Sequence, residues 1–529
     1  MIADRSQREL AQLTRQLEEL NRVGAALSAE RELPKLLELI LTKAREITGA
    51  EAGSLYIVET VPDALPPASG VDAPRQLRFR HAQNDAVQLP FREAPLAITD
   101  RSIAGHAALT GALLNIQDAY DLPAGVPYSL DQSFDEAAGY RTQSVLAVAM
   151  RTPKGDTVGV LQLINAKEDG RVVPFTAQHE ALLTSLAAQA AVALENSLLY
   201  AAIQNLFEGF VRASIVAIEA RDPTTSGHSF RVANLTVALA EAADRSGGGP
   251  LAGVTFSREE MRTIRYASLL HDFGKVGVRE EVLVKAKKLY PHQLNLIHER
   301  FKLARRSREV AALQRRLDFL LANGREAYLQ QLPQFDVELA DGFGELDRLL
   351  AAILAANEPT VLAEGSFEAL QEAAAFAFPD VDGASRSLLQ PEEVRLLSLR
   401  KGSLSEAERV QIESHVVHTY RFLSQIPWTR EIRAIPAIAV GHHEKLNGQG
   451  YPYRLSGADI PIQTRMMTIS DIFDALSASD RPYKKAVPIE RALQILDFAV
   501  KDGEIDPDLF QLFVEAKVFE RWNVEPERY

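Results

Sequence analysis

Two hydrophobic periods alternate along this chain. Leu10, Leu13, Leu17, Leu20 and Leu27 recur every three or four residues, a narrow stripe interrupted at Gly24, which predicts a helix over residues 1–30. It reads equally as a short coiled coil or as a helix packed on its own domain. From about residue 34 the pattern becomes mixed. A helix (PKLLELILTKAREIT) leads into an apolar run at Gly53–Val58, and two strand runs, Ser144–Met150 and Val158–Ile164, flank the turn Pro153-Lys154-Gly155. A helix starting near Thr176 closes the unit. Residues 177–220 carry no proline and one glycine, and Leu199, Ile203, Leu206, Phe210 and Ala213 continue a helical stripe. Such a helix is either a paired-helix signal conduit or a rigid spacer.

A length of 529 residues exceeds one core and points to about three modules. Net charge of −13 excludes a general nucleic-acid surface, so any phosphate site must be a local basic pocket. There is no cysteine, which leaves histidine and carboxylates as metal ligands. No apolar run approaches the roughly 18 residues of a membrane span, and the N-terminus lacks a signal-peptide core. A soluble, cytoplasmic protein is expected.

Chemistry concentrates in the second half. His271-Asp272 lies in an apolar helix, where an unpartnered carboxylate is costly and a metal would resolve the conflict. A structural pair is the simpler reading of two residues alone. Upstream stands His228, and downstream His415, His442-His443 and Asp471, so five of the 11 histidines fall in this set. Lys275 follows the pair by one turn and could neutralise phosphate charge, or be a surface lysine at a helix end. Arg481 and Lys484 share a helical face that could grip a nucleotide, or form a solvated basic turn.

Residues 31–196 resemble a GAF domain, through Ile103-Ala104-Gly105, Phe134-Asp135, Gly139-Tyr140-Arg141-Thr142 and Leu163-Ile164-Asn165. The resemblance implies an α+β sensor, an antiparallel sheet with flanking helices. It is nearest to GAF domains of cyclic-nucleotide phosphodiesterases and cyclases, some of which bind cyclic nucleotides. His179 stands where that subgroup tends to carry an acid, so a ligand-free dimerisation module stays equally open. A linking helix over 197–220 follows.

Residues 221–529 resemble the HD superfamily of phosphohydrolases, and more narrowly the HD-GYP family. The stretch His442-His443-Glu444-Lys445-Leu446-Asn447-Gly448-Gln449-Gly450-Tyr451-Pro452 carries the diagnostic motif, with Asn447 where an aspartate is usual. The resemblance implies an all-α bundle holding two divalent ions, iron or manganese, through His228, His271, Asp272, His415, His442, His443 and Asp471. Thr224 occupies the position from which an acid holds a third ion in some members, so two ions are expected. Asp272 and Lys275 are implied as catalytic, and Lys275, Gly450, Tyr451, Pro452, Arg481 and Lys484 as substrate-binding. The implied reaction is hydrolysis of cyclic di-GMP, ending at pGpG or going on to GMP, under GAF control, in a homodimer.

The family's spacing fails in one place. Lys285–Glu299 begins the run towards the next ligand but reaches Arg300, and the pattern restarts at Arg400 to reach His415. An insertion over about 290–400 is expected, with stripes Val310, Leu313, Leu317, Leu320 and Leu346, Leu349, Leu350, Ile353 separated at Gly342-Phe343-Gly344. It predicts a helical hairpin or small bundle that serves as a partner-binding arm, a dimer contact or a lid. A metal-containing receptor without turnover, or a hydrolase of another cyclic dinucleotide, are the competing functions.

Overall fold

The structure, a computed structural model, describes residues 18, 20–61, 74–87, 93–222, 227–361, 365–478 and 486–521. The chain divides into two compact units, Met1–Glu208 and Gly209–Tyr529.

The first unit is built on a seven-stranded antiparallel sheet. Helix α1 (residues 20–29) and α2 (Leu33–Thr48) precede β1 (Ala50–Thr60), β2 (Arg75–Asn84) and β3 (Pro95–Ala97). Then come α3 (Ile103–Thr110), β4 (Leu114–Ile116), α4 (Ser133–Ala138), β5 (Val145–Arg151), β6 (Thr157–Glu168), β7 (Arg171–Val173) and α5 (Ala177–Arg221). Sheet order is β3-β2-β1-β6-β5-β4, with β7 on β6. The period-2 pattern of β1 splits its side chains between two cores. Leu55 and Ile57 join α2 and α5, whereas Tyr56 and Val58 join α3. Val23 and Leu27 are buried against α5, and a Cβ on Gly24 would lie 2.3 Å from Gln189 Oε1. The described part of α1 therefore packs on its own domain; Leu10, Leu13 and Leu17 lie outside the described residues. The motif residues of the α4 region are consumed in holding a loop. Asp135 accepts from Tyr120 Oη (2.8 Å) and from Thr142 N (2.7 Å), while Asn165 donates to Tyr140 Oη (2.9 Å).

Helix α5 corrects one expectation. By length and composition it is apolar enough to cross a membrane, with mean hydropathy 1.3 over an 18-residue window. Its Leu183, Leu186, Ala190, Ala191 and Leu194 are buried in the first unit's core, the setting of a core helix. Farther along, Leu199, Ile203 and Leu206 are exposed.

The second unit is a helical bundle. Helices α6 (His228–Asp244), α7 (Arg258–Leu270), a 3-10 turn (Phe273–Gly277) and α8 (Glu280–Leu283) precede the insertion. After it come α12 (Glu406–Glu413), α13 (His415–Leu423), α14 (Ile435–Val440), α15 (Ile462–Ser477), α16 (Ile489–Lys501) and α17 (Pro507–Glu515). Leu235, Leu239, Ile264, Met466, Ile469 and Phe473 form its central core, with Leu496 and Phe513.

The insertion comprises α9 (Pro291–Ala356), α10 (Ser366–Ala375), the hairpin β8 (Ala377–Pro379) and β9 (Ser385–Ser387), and α11 (Pro391–Leu397). Two expectations are corrected here. The chain reverses at Gly324, whose φ of 79° and ψ of 173° suit glycine, while Gly342-Phe343-Gly344 lies inside the returning helix. The stripe Val310, Leu313, Leu317 faces solvent at 48–64% exposure. Arginines zip the hairpin instead: Arg308 donates to Gly342 O (2.7 Å) and pairs with Glu345, Arg305 pairs with Asp347, and Arg316 with Asp336. Their stems and cations cover Phe343 and Phe335. The two ends of the insertion meet, with Ser403 Oγ donating to Lys285 O at 2.9 Å and Lys285 pairing with Glu408 at 2.8 Å. Arg300, the residue that breaks the family spacing, pairs with Glu393 inside the insertion.

Candidate metal centre

The seven residues singled out in the second half converge on one buried cluster. His228 opens α6, His271 closes α7, and Asp272 starts the turn that follows. His415 opens α13, His442 and His443 follow α14, and Asp471 sits within α15. His298, a competing candidate, belongs to α9 and to none of the metal-compatible groups among the described residues.

Each imidazole is set by a second contact. His271 Nδ1 donates to Ser268 O, His415 Nδ1 to Ile412 O and His442 Nδ1 to Ala439 O, each at 2.7 Å. A carbonyl only accepts, so Nδ1 carries a proton and Nε2 faces the cluster. Burial lowers the pKa of His415 and His442, and brings His443 to about 4, so these rings are neutral. His415 Nε2 and His442 Nε2 then lie 3.4 Å apart with two lone pairs facing, and His271 Nε2 is buried with no hydrogen-bond partner. A cation between such atoms removes the conflict.

The carboxylates supply the rest. Asp272 Oδ1 lies 3.4 Å from His415 Nε2, while its Oδ2 lies 3.5 Å from His271 and 3.6 Å from His228. Its two oxygens thus face different histidine groups. Asp471 Oδ1 is 3.2 Å from His228 Nε2. Burial opposes charge on Asp272, but the Lys275 ammonium beside it outweighs burial and holds the carboxyl well below its usual range. Lys275 Nζ reaches Asp272 Oδ2 at 2.9 Å and Asp222 Oδ2 at 3.2 Å. It is thus an embedded cation of the site, with 16% of its side chain exposed. Donor atoms are all nitrogen and oxygen, and the groups His228-His271-Asp272, His415-His442-His443 and His271-His442-Asp471 each close within 4.8 Å. This set fits a borderline divalent ion.

Several supporting residues escaped the sequence reading. Asp474, fully buried, accepts from His228 Nδ1 at 2.7 Å and from Arg231 Nε at 2.6 Å. Its signal was in the sequence, an aspartate one turn after Asp471 on the same helix face. Thr419 donates to His271 O (2.9 Å) and accepts from Gly274 N (2.8 Å), stitching α13 to the His-Asp turn. Nothing local in the sequence marks it.

Among the substrate-binding expectations, Tyr451 packs its ring 4.8 Å from His443, and burial raises its phenol, which stays a donor. Gly450 is required by close approach, since a Cβ there would lie 2.4 Å from Lys445 N. Buried Glu444 holds the loop beyond Pro452 by accepting from Tyr453 N (2.7 Å) and Leu455 N (2.9 Å). Asn447 stands apart from the ligands: its amide donates to Asp502 O at 3.1 Å, a bond that an aspartate could not make. Arg481, Lys484 and Thr224 lie outside the described residues.

Comparison with known proteins agrees with this architecture. Residues 32–194 match the GAF domain, and residues 225–328 and 386–509 match HD domains. The chain joins a GAF domain to an HD domain. The two HD matches flank residues 329–385, most of the returning arm and the hairpin that follows. The 3'3'-cGAMP-specific phosphodiesterase 2 of Vibrio cholerae is 30% identical over 250 residues, covering 45% of this chain and 42% of that protein. The 3'3'-cGAMP-specific phosphodiesterase 3 of Vibrio cholerae is 37% identical over 130 residues, 25% of this chain and 26% of its own length. A cyclic di-GMP phosphodiesterase response regulator of Xanthomonas campestris pv. campestris is 38% identical over 109 residues, 21% of this chain and 28% of its length. The chain thus spans between 26% and 42% of these relatives.

Proposed function

We propose that this GAF–HD protein is a metal-dependent phosphodiesterase of the HD-GYP type that hydrolyses a cyclic dinucleotide. Asp272 carries the reading, with one oxygen towards His415 and the other towards His228 and His271. The proposed ligand sets are His228, His271, Asp272 and Asp471 for one ion, and Asp272, His415, His442 and His443 for a second. Iron or manganese suits these donors. Divalent ions held there supply Lewis acidity that neutralises a phosphodiester and acidifies water. Lys275 adds a fixed positive charge for a non-bridging phosphoryl oxygen. Tyr451, kept protonated beside His443, orients the substrate by donation. In the reaction, water oxygen bonds to phosphorus, one P–O ester bond breaks, and the departing ribose oxygen takes the proton. Cyclic di-GMP would give linear pGpG, and a second cut GMP.

The relatives named for 3'3'-cGAMP favour a mixed cyclic dinucleotide as the second reading. A receptor that binds metal and nucleotide without turnover is the competitor from outside enzymology. In this proposal the GAF domain governs activity through a small-molecule ligand such as a cyclic nucleotide, the chain works as a cytoplasmic homodimer, and the arm of α9 meets a protein partner. Anaerobically purified protein loaded with Fe(II) or Mn(II) should hydrolyse at least one of cyclic di-GMP and 3'3'-cGAMP. Replacing His271 or Asp272 with Ala should abolish metal and turnover together. Tight nucleotide binding without turnover by the loaded protein would favour the receptor.

A further inference from the structure

We infer that Asp222 is a positioning residue for Lys275 and ties that lysine to the end of α5. The inference rests on the hydrolase reading above. Asp222 follows the last helical residue, Arg221, and is buried, with its Oδ2 accepting from Lys275 Nζ at 3.2 Å. The same ammonium reaches Asp272 Oδ2 at 2.9 Å.

Sharing matters because Asp272 is asked to use its oxygens as ligands. An ammonium held by Asp272 alone would stay on one of those oxygens and compete with ligation. A second carboxylate at 3.2 Å draws Nζ outward and fixes it at the edge of the site, where a phosphoryl oxygen arrives.

Two neighbouring contacts seat this end of α5. Glu219 Oε1 accepts from Gly227 N at 2.7 Å, and Gly227, with φ of 67°, is the N-cap from which His228 follows. Arg221 Nη2 donates to Val278 O at 3.3 Å, the residue that closes the turn bearing Lys275. Glu219, Arg221 and Asp222 thus touch the backbone before His228, the end of the 3-10 turn and the Lys275 side chain. A shift of that last turn moves Asp222 and, through it, Lys275.

Acetylation of lysines in the full Mn(II)-loaded chain, followed by peptide mass spectrometry, tests the inference without reference to turnover. In Asp222→Asn, Lys275 should label about threefold faster or more. Lys288, fully buried beside the base of the insertion, should not change. Unchanged labelling at Lys275, or an equal rise at Lys288 that marks general loosening, would overturn the inference. Kinetics supply a second arm. Asp222→Asn should lower kcat about tenfold in the natural chain and less than about twofold in a Lys275→Met background. Equal losses in both backgrounds would also overturn it. Absence of turnover by the natural chain on every cyclic dinucleotide would instead remove the hydrolase reading and leave the labelling to decide.

Discussion

Gly274 offers a sharp test of how the site is assembled. A Cβ built on it would lie 1.8 Å from His415 O and 2.4 Å from Thr419 N, both backbone atoms of α13. Ordinary contact begins near 3.4 Å, so Gly274→Ala must push α13 away by about 1.6 Å. The two hydrogen bonds of Thr419, now 2.8 and 2.9 Å, would open beyond bonding distance. Two buried bonds at ~1 kcal/mol each, with overpacking of ~1–3 kcal/mol, give a cost of about 3–5 kcal/mol. The same motion carries His415 away from Asp272, and metal sites tolerate only about 0.2 Å in their ligand distances. Gly274→Ala should therefore lose one of two bound ions per chain by elemental analysis, and turnover should fall by about 10² or more. Gly344→Ala is the control, because nothing lies within 4 Å of its Cβ on α9. There a helical alanine should stabilise by ~0.5–1 kcal/mol. A Gly274→Ala protein with the full metal complement and an unchanged thermal midpoint would refute the close-approach argument.

Further outcomes are expected elsewhere. Asp474→Asn, which removes the carboxylate behind His228, should weaken metal binding by about 10–100-fold in chelator competition, while an unchanged affinity would detach Asp474 from the site. Stripping the metal with a chelator should lower the unfolding midpoint by the equivalent of ~3–4 kcal/mol at saturating ion, and an unshifted midpoint would argue against a folded-state site. Glu408 predicts a pH dependence. Burial works against its charge, but Lys285, Tyr290 and Ser405 hold the carboxyl down at about 2, against an ordinary 4.5. A depressed folded value stabilises above pH 4.5 and is lost as pH falls towards 2, by at most about 3 kcal/mol. Glu408→Gln should flatten that acid limb in urea titrations; an unaltered limb would assign it to other groups. Gly324→Ala, forced to φ of 79°, should destabilise the arm by ~1–2 kcal/mol, seen as faster amide exchange confined to α9.

Much of this was legible from residues alone where the chemistry is carried by type and order. His-Asp, the histidine pair and Asp471 could be grouped without a structure because their order resembles the HD superfamily's, and a carboxylate in an apolar run calls for a partner. The strands around Pro153-Lys154-Gly155 were equally readable, since turn chemistry and apolar runs coincide there. What the sequence hid was relational. Thr419 looks like an ordinary mid-helix polar residue and Asp222 like a helix-end one, and only their meeting with Gly274 and Lys275 gives them roles. The insertion misled for a physical reason. Apolar periodicity marks a helix but not what its face meets: arginine-carboxylate pairs and cation–aromatic contacts close the hairpin, leaving Val310 and Leu313 outside. Gly324 escaped because one glycine inside a helical pattern reads as a tolerated defect rather than a reversal.

Charge explains why a site like this calls for a cation rather than merely accepting one. Asp222, Asp272, Asp471 and Asp474 are all buried, at 7% exposure or less. Facing them among the described residues are Lys275 and Arg231, with His228, whose pKa burial would lower but Asp471 and Asp474 raise to about 9. Around this acidic excess stand His415 and His442, kept neutral by burial, whose Nδ1 protons go to carbonyls and whose inward nitrogens therefore present lone pairs. Burying uncompensated carboxylates costs several kcal/mol each, and lone pairs brought face to face add to it. A protein would not retain that arrangement for packing, since apolar residues of the same volume fill a bundle at lower cost. Divalent charge resolves both conflicts at one place. The long arm between α8 and α12 leaves that balance untouched, because Ser403 returns the chain to Lys285 and the run to His415 resumes. The insertion thus leaves and rejoins the bundle at one place, without displacing the ligands on either side of it.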